Sequence, residues 1–592
     1  MPADRVRETL GALQQRGPDG EGVFRFDAGK VSGVLLHTRL SIIDLDDRAA
    51  QPMTRHGCTV VFNGEIYNYV EIRRKLVQKG VVFTTKSDTE VLLQAYLAGG
   101  DAFTKELEGM WALAIWDSRR ERLLLSRDRF GEKPLYYTQA GDGIYFGSQT
   151  NALREITGKI FQVNQQQILR YLVQGYKSLY KHGETFYKDI HEVPHATTLT
   201  ITDDLNISPK RYWVPRYGPQ ERSLSESVDA TRHALISSMR MRLRSDVPMA
   251  FCLSGGVDSG ALASIAAKKF GQQVATFSII DPDERYDEKE NIDATVRDIG
   301  PNHTEVLLNP KEITLESLEE LVAYHDAPIA TITYFIHSFL SREISKAGYK
   351  VVFSGTSADE LFTGYYDHWI WHLLELRGHK NFANLKTAWK KHILPGVRNP
   401  LLRDLDRYFT NPDERGHIYL HDDVFAGYMR ASFREGWSEE YFCDSPLRNR
   451  TLNELFHEAT PVILHEDDLN SMMYSLENRS PYLDTKLFEV ALTTPIEHLM
   501  MDGYAKFPLR AAMKGILNDQ VRLDRRKRGF NASIHSILDL DLPESRDMIL
   551  SNSPIFDIVR RDKIEALLGE RPLPNSFSKF LFNFINAKFF LP

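Results

Sequence analysis

Between Phe251 and Gly260 the chain reads F-C-L-S-G-G-V-D-S-G. A short apolar run, Val247 to Leu253, stops at Ser254-Gly255-Gly256, and a helix-like stretch with Ala261, Leu262, Ile265 and Ala266 follows. The order is strand, glycine loop, helix start. Glycine lets the backbone turn tightly and approach a ligand closely. Free amides at a helix start favour an anion such as a phosphate. Asp258 stands where a carboxylate could hold a metal ion bound to that phosphate. A lone Gly-Gly would read as an ordinary strand-to-helix turn. Two serines and an aspartate around the glycines favour the phosphate reading. No G-K-[ST] follows, so this is not a Walker loop.

At 592 residues the chain is long enough for several domains, two of them large. Its hydrophobic fraction of 42% and charged fraction of 26% are those of a globular protein. A formal net charge of -7 gives no general attraction to nucleic acid, and no nucleic-acid partner is expected. The three cysteines, Cys58, Cys252 and Cys443, lie far apart without zinc-ligand spacing. No apolar run approaches a membrane span, and the first ten residues lack the apolar core of a signal peptide. The expected location is the cytoplasm, without membrane contact.

Residues 20–150 read mainly as short strands, among them Val34–Ile43, Thr59–Phe62, Met110–Trp116 and Leu123–Ser126. Turn signals such as Gly17-Pro18-Asp19-Gly20 and Asn63-Gly64 separate them. Ser87-Asp88-Thr89-Glu90 has the pattern of a capping box and predicts a helix carrying Val91, Leu92, Leu93 and Tyr96. Strands with few helices make residues 1–155 an α+β domain. Residues 156–224, with Pro194, Pro209, Pro215 and Pro219, read as a connector with some structure of its own. Residues 225–592 read as α/β, helix-rich towards the end. The runs Val247–Leu253, Val274–Ile280 and Lys350–Ser354 predict buried parallel strands. Ligands of doubly wound sheets lie beyond the carboxyl ends of such strands.

Two further segments bear on that site. Lys350–Gly355 leads into Thr356-Ser357-Ala358-Asp359-Glu360-Leu361-Phe362, again strand, small-residue turn and helix start. This brings Asp359 to the sheet edge that carries Asp258. Alone, Asp359 and Glu360 would be ordinary first-turn acids favoured by the helix dipole. The other segment is basic, with Lys506 in A-K-F-P-L-R and Lys527 in R-R-K-R-G-F. Arg525–Arg528 suits a solvated patch or a nucleic-acid contact. It equally suits cations that stabilise departing pyrophosphate.

S-G-G-V-D-S resembles the pyrophosphate loop of the ATP pyrophosphatase superfamily. With S-G-x-x-x-D-E-L-F, S-L-E-N-R-S-P-Y-L-D at Ser475–Asp484 and K-R-G-F at Lys527–Phe530, the second half resembles the synthetase domain of glutamine-dependent asparagine synthetases. The resemblance runs from about 225 to 540. It implies ATP-dependent activation of a carboxylate to an acyl-adenylate, then attack by ammonia. It places Ser254, Gly255, Gly256, Asp258 and Ser259 on pyrophosphate, with Ser354 and Gly355 beside the nucleotide. It places Leu253 and Ile279 along adenine, Mg²⁺ between Asp258 and Asp359, and Lys506 and Lys527 as catalytic cations at the phosphates.

The first half is similar to the partner glutaminase domain, an N-terminal-nucleophile sandwich. The matching motifs are R-G-P-D-G at Arg16–Gly20, H-T-R-L-S-I-I-D at His37–Asp44, F-N-G-E-I-Y-N at Phe62–Asn68, S-D-T-E at Ser87–Glu90 and R-D-R-F-G-E-K-P-L-Y-Y at Arg127–Tyr137. The resemblance implies that Arg39 and Asp88 grip the charged end of glutamine, with Asn63, Gly64 and Glu65 around it. Asn63 and Gly64 would also donate to the oxyanion. Taken alone, Asn63-Gly64 signals a hairpin turn, and Arg39 could be a structural ion-pair residue.

The family's nucleophile is a cysteine at residue 2, and here residue 2 is Pro2. The family's first strand is also absent from the sequence as given. Cys58 reads as a packed residue, and neither Ser32 nor Ser41 has an evident base. A start assigned downstream of the true one is the favoured explanation, because the later pocket residues remain. Loss of hydrolysis with use of free ammonia, or a purely structural domain, are the others. As numbered, the chain is expected not to hydrolyse glutamine.

A second departure concerns the acceptor. The resembled family carries an acid three residues before the metal aspartate, where it assists ammonia's attack; this chain has Thr356. Asp326-Ala327-Pro328 likewise stands for the common D-E-P. Aspartate is the first expectation for the acceptor, and a larger carboxylate such as a sugar uronate is the second. Glu360 is the nearest substitute acid in sequence, but it points away if Asp359 faces the metal. A tRNA-modifying enzyme is disfavoured by acidic balance and unpaired cysteines, and a non-catalytic relative by intact Asp258 and Asp359. A homodimer is compatible with these readings.

Overall fold

Two sheets of opposite character organise the chain in the computed structural model, which describes residues 1–141, 143–280, 288–309, 312–418, 422–526, 534, 538–540, 542–570 and 573–592. The first part carries β1 (Gly20–Asp27), β2 (Ser32–Arg39), β3 (Met53–Arg55), β4 (Cys58–Glu65), β5 (Met110–Asp117) and β6 (Arg122–Arg127). β7 (Tyr136–Ala140), β8 (Gly143–Gly147), β9 (His191–Glu192), β10 (Thr197–Ile201) and β11 (Ile207–Arg211) follow. Strands β11-β10-β6-β5-β4-β3 form an antiparallel sheet, while β1 pairs with β2 and β8-β7-β9 form smaller ladders. The central strands are apolar on both faces. Val60, Phe62, Leu113 and Ile115 pack with Val91 and Leu92 of helix Asp88–Gly99. Val61, Ala112, Ala114 and Trp116 pack with Leu35 of β2 and Leu199 of β10. Alternation along each strand thus supplies two cores, which makes this part a sandwich.

The second part is built on β12 (Met249–Cys252), β13 (Ala275–Ile280), β14 (Asn302–Leu307), β15 (Val351–Phe353) and β16 (Glu477–Arg479), in the order β14-β13-β12-β15-β16. Every pairing is parallel. Phe251 and Phe353 stack at 4.6 Å on neighbouring strands and pack with Ala261, Leu262 and Ile265 of helix Val257–Phe270. The remainder is helical. Trp369, Trp371 and Trp389 share one of its cores. Among the described residues no helix is long and apolar enough to cross a membrane.

Four local expectations change. The strand predicted over Val34–Ile43 ends at Arg39. Asn63-Gly64 is no hairpin turn but lies inside β4, opposite Ala112 and Trp111. A Cβ at Gly64 would meet the Met110 carbonyl oxygen at 2.0 Å, so close packing between strands is what requires glycine there. In the capping box only half forms. Ser87 Oγ accepts the Glu90 amide, whereas Glu90 turns to the Thr84 and Thr85 amides and to Arg55. Finally, the segment read as a connector supplies β10 and β11, so the first sheet continues past residue 155. Pro209 sits on the edge strand β11, where a missing N–H costs no ladder bond.

Buried ion pairs join the two parts. Asp468, on helix Ala459–Met472, takes Arg16 at 2.8 Å and Lys133 at 3.3 Å. Arg242, fully buried, meets Asp484 at 2.9 Å and reaches Glu108 of the first part at 3.3 Å. Removing one partner of such a cluster leaves the others charged without compensation. Arg242→Met is therefore expected to destabilise the protein by about 3 kcal/mol, seen as a lower midpoint in chemical unfolding.

Candidate functional site

β12 and β15 are neighbours, so the turns at their carboxyl ends lie side by side. Gly355 sits in contact with the start of helix Val257–Phe270. A Cβ there would come 3.0 Å from Asp258 Cβ and 3.2 Å from the Ser259 amide. No side chain caps that helix. In the glycine loop the Gly255 amide donates to Glu288 at 3.1 Å, the Gly256 amide to Ser254 Oγ at 3.2 Å, and the Ser254 amide to Ser259 Oγ at 3.0 Å. Asn291 fixes the loop from beneath through the Gly255 carbonyl. A carboxylate already occupies an anion's place on this loop. A Cβ on Gly255 would stand 2.8 Å from Glu288 Cβ.

Asp258 and Asp359 converge on one cation. Lys506 Nζ lies 2.6 Å from Asp258 and 2.8 Å from Asp359. Burial opposes the charge on Lys506, but the two carboxylates together hold its pKa above the lysine range. Lys506 has φ 55°, a left-handed conformation that costs a non-glycine residue energy and clusters at functional sites. Tyr482 donates to the Asp258 carbonyl at 2.9 Å. The Leu253 amide donates to Phe277 at 2.8 Å, which joins the end of β12 to β13 and its Ile279. Ser354 lies beyond β15, its amide on the Arg479 carbonyl. The other predicted cation, Lys527, lies outside the described residues. Of its basic run, Arg525 stacks over Tyr504 and Arg526 pairs with Asp524.

In the turn of Asp359, Thr356 Oγ1 donates to Asp467 at 3.0 Å and bonds Ser354 Oγ at 3.0 Å. Glu360 turns into the protein interior. It is 2% exposed and accepts the Tyr365 hydroxyl at 2.6 Å.

The expected glutamine residues also meet. Arg39, Asn63, Gly64, Glu65 and Asp88 line one cavity of about 130 Å³. Asp88, at a helix start, accepts the Ile66 amide at 2.9 Å. Burial pushes its carboxyl up to about 6 against the pull of the Ile66 and Thr89 amides. Glu65 is held well above the carboxylate range by burial, then by Asp88 and Glu477. Arg479 faces Glu65 at 3.5 Å and Glu477 at 2.8 Å. The cavity thus brings three carboxyl groups, Glu65, Asp88 and Glu477, together with two guanidinium groups, Arg16 and Arg39. Arg39 lines its rim and donates to the Asp44 and Asp46 carbonyls. No cysteine is among the described residues that line it. Cys58 is at the far end of β4, roughly 17 Å of extended chain from Asn63. Its thiol is pushed up to about 12 by burial and Asp117.

Family models place these two sites in context. A glutamine amidotransferase domain matches residues 1–213, and asparagine synthase matches residues 230–582. The chain belongs to the asparagine synthase family. It is 31% identical to "Asparagine synthetase (glutamine-hydrolyzing) 1" of Bacillus subtilis over 95% of this chain and 89% of the relative. It is 29% identical to that organism's "Asparagine synthetase (glutamine-hydrolyzing) 3", over 95% and 90%. A protein named "Amidase chyE" of Penicillium rubens is 25% identical over 88% and 83%. This asparagine synthase family member is thus an ATP-dependent ligase with an attached glutamine amidotransferase domain.

Three parts of this family member's sites escape a reading by motif. Glu477 and Met472 come from the second half yet line the first half's cavity. Asp467 reaches Thr356 from 111 residues away. Gly364 marks the third, because a Cβ there would stand 1.6 Å from Asp359 Oδ1 and 2.4 Å from Lys506 Cε. Glu477 does fall in the Ser475–Asp484 motif, but nothing local points it at glutamine. Gly364→Ala is expected to push Asp359 and Lys506 apart and abolish ATP-dependent turnover at nearly unchanged melting temperature. Cys58→Ala should leave any glutamine hydrolysis at its starting rate, measured as glutamate release.

Proposed function

We propose that this protein amidates a carboxylate, with aspartate as acceptor and asparagine as product, using ATP and ammonia drawn from glutamine or from solution. The observation that carries the proposal is the convergence of Asp258 and Asp359 on Lys506 at the ends of two parallel strands. In this reading the first part, whose sheet runs on through β10 and β11, holds glutamine, and residues 225–592 carry the ligase chemistry.

The acceptor's carboxylate oxygen attacks the α-phosphorus of ATP. The bond to the β-phosphate breaks and pyrophosphate leaves. The Ser254–Gly256 loop, Ser259 and the uncapped helix start hold its anionic oxygens, and Glu288 gives up its amide to them. Leu253 and Ile279 border the base, with Ser354 and Gly355 beside the nucleotide. Lys506 and Lys527 balance negative charge as it develops on the leaving group. The residues fit a divalent cation, because two carboxylates already share one positive centre and are oxygen donors. Mg²⁺ held there by Asp258 and Asp359 would neutralise phosphate charge. In the first half, Arg39 takes glutamine's carboxylate and Asp88 with Glu65 takes its ammonium. Asn63 and the Gly64 amide would donate to the oxyanion that forms when a nucleophile adds to glutamine's side-chain amide; no cysteine among the described residues lines the cavity to supply it.

ATP–pyrophosphate exchange across a panel of carboxylic acids tests this. Exchange with aspartate, and AMP plus asparagine once ammonia is added, is the expected result. Exchange only with a uronate would replace aspartate as acceptor. Asp258→Asn and Asp359→Asn are each expected to lower the exchange rate by roughly three orders of magnitude; ADP as product would overturn the adenylate route.

A further inference from the structure

Amide formation needs a proton acceptor. Ammonia's lone pair forms the new C–N bond, the bond from the acyl carbon to AMP's oxygen breaks, and the nitrogen must lose a proton. A hydroxyl cannot accept it near neutral pH, whereas a carboxylate can. The acids around the turn of Asp359 are few. Asp258 and Asp359 are committed to Lys506. Glu360 is buried on Tyr365. Among the described residues, the remaining carboxylate bonded to this turn is Asp467, half-buried on helix Ala459–Met472. Its Oδ2 accepts Thr356 Oγ1 at 3.0 Å and Asn478 Nδ2 at 3.2 Å. Thr356 in turn bonds Ser354, so a line of hydroxyls runs from Asp467 through Thr356 to Ser354.

We propose that Asp467 is the base of the amidation step, receiving the proton of the attacking ammonia through the hydroxyl of Thr356. The role rests on the amidating function proposed above. Thr356 hands its own hydroxyl proton to the carboxylate as it takes one from nitrogen, so it ends unchanged and Asp467 ends protonated. Asn478, on β16, donates to the same carboxylate oxygen and helps hold it in place.

The setting makes Asp467 a competent base. Burial pushes its carboxyl up to about 7, against the hydrogen bonds from Thr356 and Asn478, while neighbouring Asp468 adds to the rise. Glu466 on the same helix, Tyr334 on helix Ile332–Lys346 and Cys252 on β12 also feel its charge. None of these is a cation. Arg16 and Lys133 are spent on Asp468. A base whose pKa lies near the working pH combines an available lone pair with useful proton affinity.

The test uses the full-length protein with ATP, Mg²⁺ and L-aspartate, or glucuronate if the exchange panel selects it, at fixed free-ammonia concentration. For Asp467→Asn the expected result is exchange within a few-fold of wild type and amide formation slower by about 100-fold. In the parent protein amide formation should rise with pH through about 7, and the variant should lack that rise. Asp467→Glu should restore both rate and profile. If Asp467→Asn folds poorly, Thr356→Val breaks the same relay with the carboxylate kept, and should also lower amide formation while sparing exchange. Amide formation at full rate with an unchanged pH profile in Asp467→Asn would overturn the role. So would equal losses of exchange and amidation, which mark a structural effect. Absence of exchange in the parent protein would instead overturn the amidating function itself, and the role with it.

Discussion

One ammonium between two carboxylates orders the second half of this protein. Lys506 can reach both Asp258 and Asp359 only because β12 and β15 run parallel and adjacent, so that their carboxyl ends open on the same side. Everything nearby serves that approach. Gly355 and Gly364 lack the side chains that would hold the two turns apart. Lys506 accepts a left-handed backbone, and Tyr482 ties down the Asp258 carbonyl. The arrangement suits exchange of one cation for another. An ammonium holds the acids together; in the proposed function a metal ion with nucleotide phosphate would take its place.

The two halves are joined through one helix with two neighbouring acids. Successive residues on a helix point in different directions. Asp468 faces the first half and takes Arg16 and Lys133. Asp467 faces the turn of Thr356. A shift of this helix would therefore be felt at both ends. On the strand that follows, Arg479 faces Glu65 and Glu477, and Glu477 lines the first half's cavity. The parallel sheet thus completes a pocket whose other residues belong to the antiparallel one.

Motifs reported the parts that are local in sequence. The S-G-G-V-D-S loop was legible because strand, turn and helix start are consecutive. The acids at Asp258 and Asp359 follow from two such turns. The residues read by resemblance as a glutamine pocket do meet in one cavity. Where a signal had two physical sources, local reading chose wrongly. Asn63-Gly64 has the composition of a hairpin turn, yet its glycine answers to the carbonyl of Met110 on the neighbouring strand. Glu90 has the spacing of a capping box, yet Thr84, Thr85 and Arg55 offer it stronger partners. Proline content suggested a connector, yet an edge strand tolerates Pro209.

By itself the sequence offered the pieces from which the proposed chemistry is read: a strand–glycine loop–helix segment at Ser254–Ser259, acids at Asp258 and Asp359 after two such turns, motifs that resemble a glutamine pocket, and Thr356 where the resembled family carries an acid. Each depends on residues close together in the chain, or on a residue type that the chemistry requires. Tertiary structure alone decided which distant groups complete those sites. Asp467, Glu477 and Gly364 reach their partners when a helix, a strand and a turn from separate parts of the chain pack against one another. Periodicity and spacing carry no record of such contacts, because the distances that matter are set by how whole elements pack.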